Sequence, residues 1–259
     1  MLKILAIGDL TEPRSALFLR EKLSSFKRKN GIDFVIANGE NAGFIMGPTP
    51  ETAALIFDAG VDCLTGGNHT MQNKLLFRTL ENDTRLLRPA NYPAAAPGFG
   101  YRIFSVNGYR VLVMNLLGRV HIEPVLDSPF TAAEAILRRE SGKYDLAVLD
   151  IHAEATGEKL ALARYFDGRF AAIFGTHTHV PTADEQILPH GTGYVTDIGM
   201  CGASGGVIGV KAEVIIERYL TALPVRSEPD DSPIKANGAI FTIDTETKRC
   251  LSVERVTLE

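Results

Sequence analysis

No basic block occurs anywhere in the 259 residues, and the net charge is −4 at pH 7. Binding nucleic acid through a broad phosphate-neutralising face needs clustered lysine and arginine, so the sequence argues against a stable nucleic-acid complex. Cysteine is also sparse. Cys63, Cys201 and Cys250 form an odd set without a C-x-x-C pair, which indicates neither a disulfide framework nor a thiolate zinc site. Free thiols fit a cytoplasmic location. No apolar run approaches membrane-spanning length. The apolar start from Met1 to Ile7 is too short for a signal-peptide core before it meets Gly8-Asp9. Internal repeats and low-complexity segments are absent. What remains, 45% hydrophobic and 22% charged residues, is the balance of an ordered globular chain able to bury a sizeable core. It reads as one α/β domain over residues 1–259.

The chain is organised around the apolar run Phe170 to Phe174, which closes in Gly175-Thr176-His177-Thr178-His179. A short β-rich run ended by glycine predicts a buried strand delivering its last residues to a loop. Side chains alternate faces along an extended chain, so His177 and His179 are expected to point the same way, a chelating geometry. An isolated H-x-H is more often a pair of solvated loop histidines. Four other strand-like runs weaken that alternative. Leu2–Ile7 runs into Gly8-Asp9, Asp33–Ala37 into Asn38-Gly39-Glu40-Asn41, Val61–Thr65 into Gly66-Gly67-Asn68-His69, and Tyr144–Asp150 into Ile151-His152.

Helices are predicted over Ser15–Arg28, Pro50–Ala59, Met71–Leu80, Thr131–Arg139 and Ala153–Phe166. Arg88 to Gly100 is rich in proline and glycine and reads as a surface loop. Strands resume at Tyr101–Val106 and Tyr109–Asn115 around an Asn107-Gly108 turn. Later strands are expected at Gly193–Thr196, Ala239–Ile243 and Cys250–Val256.

The candidate site residues are Asp9, Glu40, Asn41, Asn68, His69, His152, His177 and His179. Nearly all lie just past the carboxyl end of a predicted strand, where ligands bind in open α/β sheets. Imidazole, carboxylate and amide donors without sulfur suit first-row divalent metals. Without His69 they number seven, too many for one four-coordinate ion and about right for two ions sharing a carboxylate. Two metals roughly 3.5–4 Å apart can clamp the attacking and leaving oxygens of a displacement at phosphorus.

These residues resemble a known motif series. Gly8-Asp9, Gly67-Asn68-His69, His152 and Gly175-Thr176-His177-Thr178-His179 are similar to the motifs of calcineurin-like metallophosphoesterases. Two departures stand out: Thr11 where most of that superfamily has histidine, and Gly39-Glu40-Asn41 where it has a G-D-x-x-D segment. Together with Arg88-Pro89-Ala90-Asn91 and Asp150-Ile151-His152-Ala153-Glu154-Ala155-Thr156, they resemble the bacterial YmdB-type branch, over nearly the whole chain.

The resemblance implies a four-layer α-β-β-α sandwich and a di-iron or di-manganese centre. It further implies phosphodiesterase activity, with 2′,3′-cyclic nucleotides among the substrates and a hydroxide held between the ions as nucleophile. Carried over, Asp9, Glu40, Asn41 and His179 would hold one ion. Glu40, Asn68, His152 and His177 would hold the other, and His69 would be the general acid. The partner is then a small-molecule phosphodiester, with no membrane involved and a homo-oligomer left open. Thr11 leaves the first ion with an altered set of ligands. Two alternatives stand beside this reading: a phosphomonoesterase or nucleotidase on the same centre, and a regulatory nucleotide- or partner-binding protein whose metals are structural.

Simpler roles compete at several positions. Asp9 could cap the following helix, Asn41 could hold a turn, and His121 and His190 read as surface histidines. Asp150 and Glu154 read as supporting groups. Arg88, Arg119 and Asp184 lie in loops within range of a substrate contact.

Overall fold

The computed structural model describes all residues from Met1 to Glu259. The first half of the chain runs β1 (Leu2–Ile7), β2 (Asp9–Leu10), α1 (Pro13–Asn30), β3 (Phe34–Asn38), α2 (Pro50–Asp58), β4 (Cys63–Thr65) and α3 (Phe77–Asn82). It continues through β5 (Tyr101–Val106), β6 (Tyr109–Leu117), α4 (Pro129–Arg139), β7 (Leu146–His152), α5 (Thr156–Tyr165) and β8 (Ala172–Thr176). The last elements are β9 (Gln186–Ile187), β10 (Gly193–Val195), β11 (Met200–Ala203), α6 (Ala212–Thr221), β12 (Ile234–Ile243) and β13 (Cys250–Leu258).

Two sheets form. One has the order β2-β11-β12-β1-β3-β4 with β13 paired to β12, and the other the order β5-β6-β7-β8-β10-β9. Alternation along the strands sorts their side chains into three apolar layers. Leu5 and Ile7 of β1 pack with Leu19 and Leu23 of α1. Their neighbours Leu2, Ile4 and Ala6 face Val111, Val113 and Val148 of the opposite sheet. On the far side Leu112, Met114 and Leu149 pack with Ile136 of α4 and Leu162 of α5. The result is a four-layer α-β-β-α sandwich. β1, β3 and β4 are parallel, as are β6, β7, β8 and β10. No helix is long and apolar enough to cross a membrane.

Local differences from the sequence reading have identifiable causes. The helix expected over Met71–Leu80 is two short 3₁₀ turns followed by α3. Asn73 interrupts it, because its Nδ2 donates to the Gly47 and Pro48 carbonyls and its Oδ1 accepts from Leu75 N–H. Such side-chain bonds compete with helical ones. The expected strand Ala239–Ile243 begins earlier, at Ile234, and β9, β11 and α6 are additional.

Candidate metal and catalytic site

The carboxyl ends of β1, β3, β4, β7 and β8 converge, and all eight candidate residues meet there. Asp9, Glu40 and His152 form the centre, buried, with one potential ligand atom of each within 4.8 Å of the others. His152 Nε2 lies 3.0 Å from Asn68 Oδ1, 3.1 Å from His177 Nδ1 and 3.9 Å from Glu40 Oε2. Four donors thus crowd one point. Asn41, the residue after Glu40, forms a second pair: its amide and the His179 ring approach to 3.4 Å. Asp9 Oδ1, Glu40 Oε1, Asn41 Oδ1 and His179 Nδ1 are all buried without a hydrogen-bond partner. A buried polar atom left unpaired costs about 1–3 kcal/mol, so a cluster of them marks a place built for something else.

The local electrostatics agree with that reading. Burial, reinforced by the neighbouring Glu40 carboxylate, raises the Asp9 pKa well above its ordinary value. Burial likewise pushes Glu40 up to about 8. Burial acts in the opposite sense on the imidazoles, lowering His152 and His177 and bringing His179 to about 4. Neutral imidazoles are the ligand form of histidine, and packed carboxylates that resist ionising together call for a cation. The donor set and its unpaired atoms fit divalent metal.

The glycine pair ahead of Asn68 is sterically required: a Cβ on Gly67 would collide with the His152 ring. The same loop is tied to the centre by His69 N–H, which donates to Glu40 Oε2 at 3.2 Å. The His69 ring makes no hydrogen bond to these donors, and its Nδ1 is buried without a partner.

Two buried carboxylates outside this set hold the two halves of the site. Asp150 accepts from Asn38 Nδ2 (2.9 Å), Thr65 Oγ1 (2.5 Å) and Thr176 Oγ1 (2.8 Å), uniting β3, β4, β7 and β8. Because the Thr176 hydroxyl proton is used on Asp150, its oxygen accepts from His152 Nδ1–H at 2.9 Å. That assigns the tautomer in which His152 Nε2 carries its lone pair toward Asn68 and His177. Burial raises Asp150 to about 6 against these hydrogen bonds.

Asp197 does the corresponding work for the histidine loop. Its Oδ2 accepts from Thr178 N–H (3.1 Å) and from Lys159 Nζ (2.8 Å), and its Oδ1 from Gly199 N–H (2.9 Å). The Gly199 carbonyl in turn accepts from Asp9 N–H. Lys159 and Asp197 are both fully buried. Gly175 makes room for them, since a Cβ there would strike the Lys159 stem and the Thr196 carbonyl. Removing one partner of a buried pair strands the other charge. Lys159→Met should therefore lower unfolding stability by about 3–5 kcal/mol, read by denaturant melts. Lys159→Met combined with Asp197→Asn should recover a substantial part of the loss.

The structure corrects the expected geometry of the histidine pair. β8 ends at Thr176, and His177 and His179 have φ of 104° and 65°, so the chain turns instead of continuing extended. The cause is capture of the main chain by buried acids: Asp9 Oδ2 accepts from His177 N–H, as Asp197 does from Thr178. The two rings consequently address different donors, His177 facing His152 and His179 facing Asn41. The far nitrogen of His177, Nε2, lies 3.1 Å from Glu154 Oε2.

Other positions resolve simply. Asp9 does not cap α1, whose N-cap is Glu12. Thr11 donates to the Cys201 carbonyl and is walled in by Gly202 and Gly209. His121 is exposed, and His190 is an exposed partner of Asp167. Asp184 accepts from Thr182 in its own loop and from Thr196 just past β10. Sequence reading passed over Asn38, Thr65, Thr176, Lys159 and Asp197. Asp197 carried a usable signal, an acid just beyond a strand, the same pattern that marks Asp9.

Comparison with known proteins extends these observations. A family model described as YmdB-like protein matches residues 5–256. A Bacillus subtilis protein named 2′,3′-cyclic-nucleotide 2′-phosphodiesterase is 40% identical, over 98% of this chain and 96% of its own length. A crystal structure of a hypothetical protein from Thermus thermophilus superposes with a TM-score of 0.89 at 36% identity, covering 100% of this chain and 99% of that one. A crystal structure described as a novel phosphatase from Mycoplasma pneumoniae gives a TM-score of 0.91 at 33% identity, covering 99% and 93%. With the family model spanning nearly every residue and the Bacillus relative aligned almost end to end, this chain belongs to the YmdB-like family.

Proposed function

We propose that this protein is a dinuclear metal-dependent phosphodiesterase acting on 2′,3′-cyclic nucleotides. The observation that carries the reading is the gathering of two sets of donors at Glu40: Asp9 Oδ1, Glu40 Oε1, Asn41 Oδ1 and His179 Nδ1 are buried and unpaired, while Asn68, His152 and His177 crowd together near Glu40 Oε2. The activity named for the Bacillus subtilis relative supports the choice of substrate. In this reading Asp9, Glu40, Asn41 and His179 hold one ion, and Glu40, Asn68, His152 and His177 hold the second, as one cytoplasmic domain. Iron or manganese suits these nitrogen and oxygen donors. Two such ions, when bound, would neutralise phosphoryl charge and acidify the attacking water.

The remaining work falls to the chain's own groups. Hydrolysis opens the cyclic ester by breaking one bond from phosphorus to a ribose oxygen, and that oxygen must gain a proton as it leaves. His69 is the donor: its loop position is fixed through its main-chain bond to Glu40, while its ring stays available. Glu154 steadies His177 from behind, leaving Nδ1 toward His152, the usual service of a carboxylate to a metal-ligating histidine.

Hydrolysis of cyclic diesters, linear diesters and monoesters by protein of defined metal content tests the reading. Preference for the cyclic diester is expected. Preference for monoesters would make the protein a phosphomonoesterase, and absence of turnover with metals bound would favour a regulatory binding role.

The raised carboxyl groups give a further expected result. In metal-free protein Glu40 keeps its proton up to about pH 8, whereas in the unfolded chain it ionises near its ordinary 4.5. Glu40 therefore holds more proton in the native state across that window, and its contribution to stability falls as pH rises through it. Between about pH 6.5 and pH 8, above the range in which the lowered histidines act in the opposite sense, the melting temperature of stripped protein should decline. Metal-loaded protein, whose ligands are already deprotonated, should lack that decline.

A further inference from the structure

Between Leu87 and Tyr101 the chain forms no helix or strand, yet it is held by its own polar side chains. Asn91 Nδ2 donates to the Leu117 and Asp127 carbonyls, and its Oδ1 accepts from Leu117 N–H. Arg88 is only 7% exposed. Its Nε and two Nη atoms donate to the carbonyls of Pro97 (3.1 Å), Pro89 (2.8 Å) and Ala96 (3.4 Å). Those bonds use three of the five N–H groups of a guanidinium. No acidic side chain offsets the charge: burial pulls the Arg88 pKa down, and the phenol of Tyr92 is the one titratable group acting against that shift. A buried ion without a counter-ion is expensive, and ordered loops of this length without secondary structure usually serve a ligand.

Arg88 forms part of the wall of a cavity of about 800 Å³ between this loop and α4. Tyr92, Phe99, Tyr101 and Arg139 line it too. The Arg139 guanidinium lies 5.1 Å from the centre of the Tyr101 ring and donates to its hydroxyl at 2.6 Å. The one acid that lines it, Asp127, is solvent-exposed; Glu140, which lies 3.4 Å from Arg139 Nε and accepts from the Tyr101 hydroxyl, does not line it. The volume lies in the range that encloses a small organic ligand. Guanidinium groups recognise phosphate, and aromatic faces stack on bases. None of the eight candidate site residues lines the cavity.

We propose that this cavity is a second binding site, separate from the metal centre, for a mononucleotide. Its phosphate meets Arg88 and Arg139, and its base lies against the aromatic wall. Asn115, fully buried, joins the two sites: its carbonyl accepts from Ala90 N–H on the cavity wall, and its Oδ1 accepts from Gly66 N–H on the loop that carries Asn68 and His69.

Calorimetric titration of metal-loaded protein with adenosine 5′-monophosphate tests the assignment, and the binding readout does not depend on the catalytic reading. Arg139→Glu and Ala135→Trp are suitable variants, because both positions are exposed on α4 and line the cavity. Each should weaken nucleotide binding by about 10–100-fold, the scale of one lost charge-assisted phosphate contact or of a blocked cavity. KM for a cyclic nucleotide should stay within about twofold, against the tenfold that accompanies each 1.4 kcal/mol lost in binding. Unchanged nucleotide affinity in both variants would overturn the proposal. So would a parallel rise in KM, which would make the cavity part of the substrate site. Inorganic phosphate binding as tightly as the nucleotide would remove the role given to the aromatic wall.

Discussion

Glu40→Ala should abolish metal binding in both halves of the site and bring turnover to background. Glu40 is the hinge of the arrangement: it clusters with Asp9 and His152, its Oε1 is buried and unpaired, and its Oε2 accepts from His69 N–H and lies 3.9 Å from His152 Nε2. Asp9 also reaches the second group, its Oδ1 lying 3.5 Å from His152 Nδ1, but that ring nitrogen is turned to Thr176, whereas Glu40 approaches the Nε2 that faces Asn68 and His177. The loss should exceed the roughly 10–100-fold that follows from removing a group that merely supports a ligand. His179→Ala provides the contrast, since its ring approaches Asn41 on one side only. Metal analysis of the two purified variants separates the cases. Glu40→Ala is expected to carry close to none, and His179→Ala to keep about one of the two ions that the bridging arrangement requires. Equal, single-ion losses in both would remove the bridging role.

His69→Ala should give the opposite signature, with metals retained and chemistry impaired. The His69 ring makes no hydrogen bond to the donors assigned to the ions, so its removal leaves those ligand atoms in place. A ribose alkoxide is a poor leaving group, and loss of a positioned proton donor typically costs on the order of 10²–10⁴ in rate. The deficit should shrink sharply with an aryl phosphodiester, because phenolate departs without protonation. Equal deficits on both substrates with metals retained would assign His69 to positioning or charge stabilisation. Loss of metal would make it a ligand or a ligand's support.

Much of this arrangement is legible in the amino-acid sequence. β1, β3, β7 and β8 are short apolar runs whose alternate residues feed the layers on either side, and each ends in a residue with chemistry to offer. That local pattern exposes Asp9, Glu40 and His152 together. The path after Thr176 is not legible, because it depends on acids distant in sequence: Asp9 is 168 residues from His177, and Asp197 is 19 from Thr178. Buried Lys159 looks like any charged helical residue until its partner Asp197, 38 residues away, is brought beside it. α6 escapes sequence reading for a different reason. Ile216, Tyr219 and Leu220 are exposed, so its apolar positions do not mark a buried face, the regularity on which periodicity reading depends. The Arg88 segment is readable as a loop, but not as the wall of a cavity, since its bonds run to carbonyls that any sequence would provide.

The central claim is that the donors gathered around Glu40 form one dinuclear hydrolytic centre. Titrating stripped protein with manganese or ferrous ion while following hydrolysis of a 2′,3′-cyclic nucleotide tests it most directly. The chain is large enough to be held by its own core, so circular dichroism of the stripped protein should remain that of the folded state. Turnover should rise from background and level off at two equivalents of metal per chain. Full turnover at one equivalent, or undiminished turnover by protein verified to be free of metal, would contradict the account.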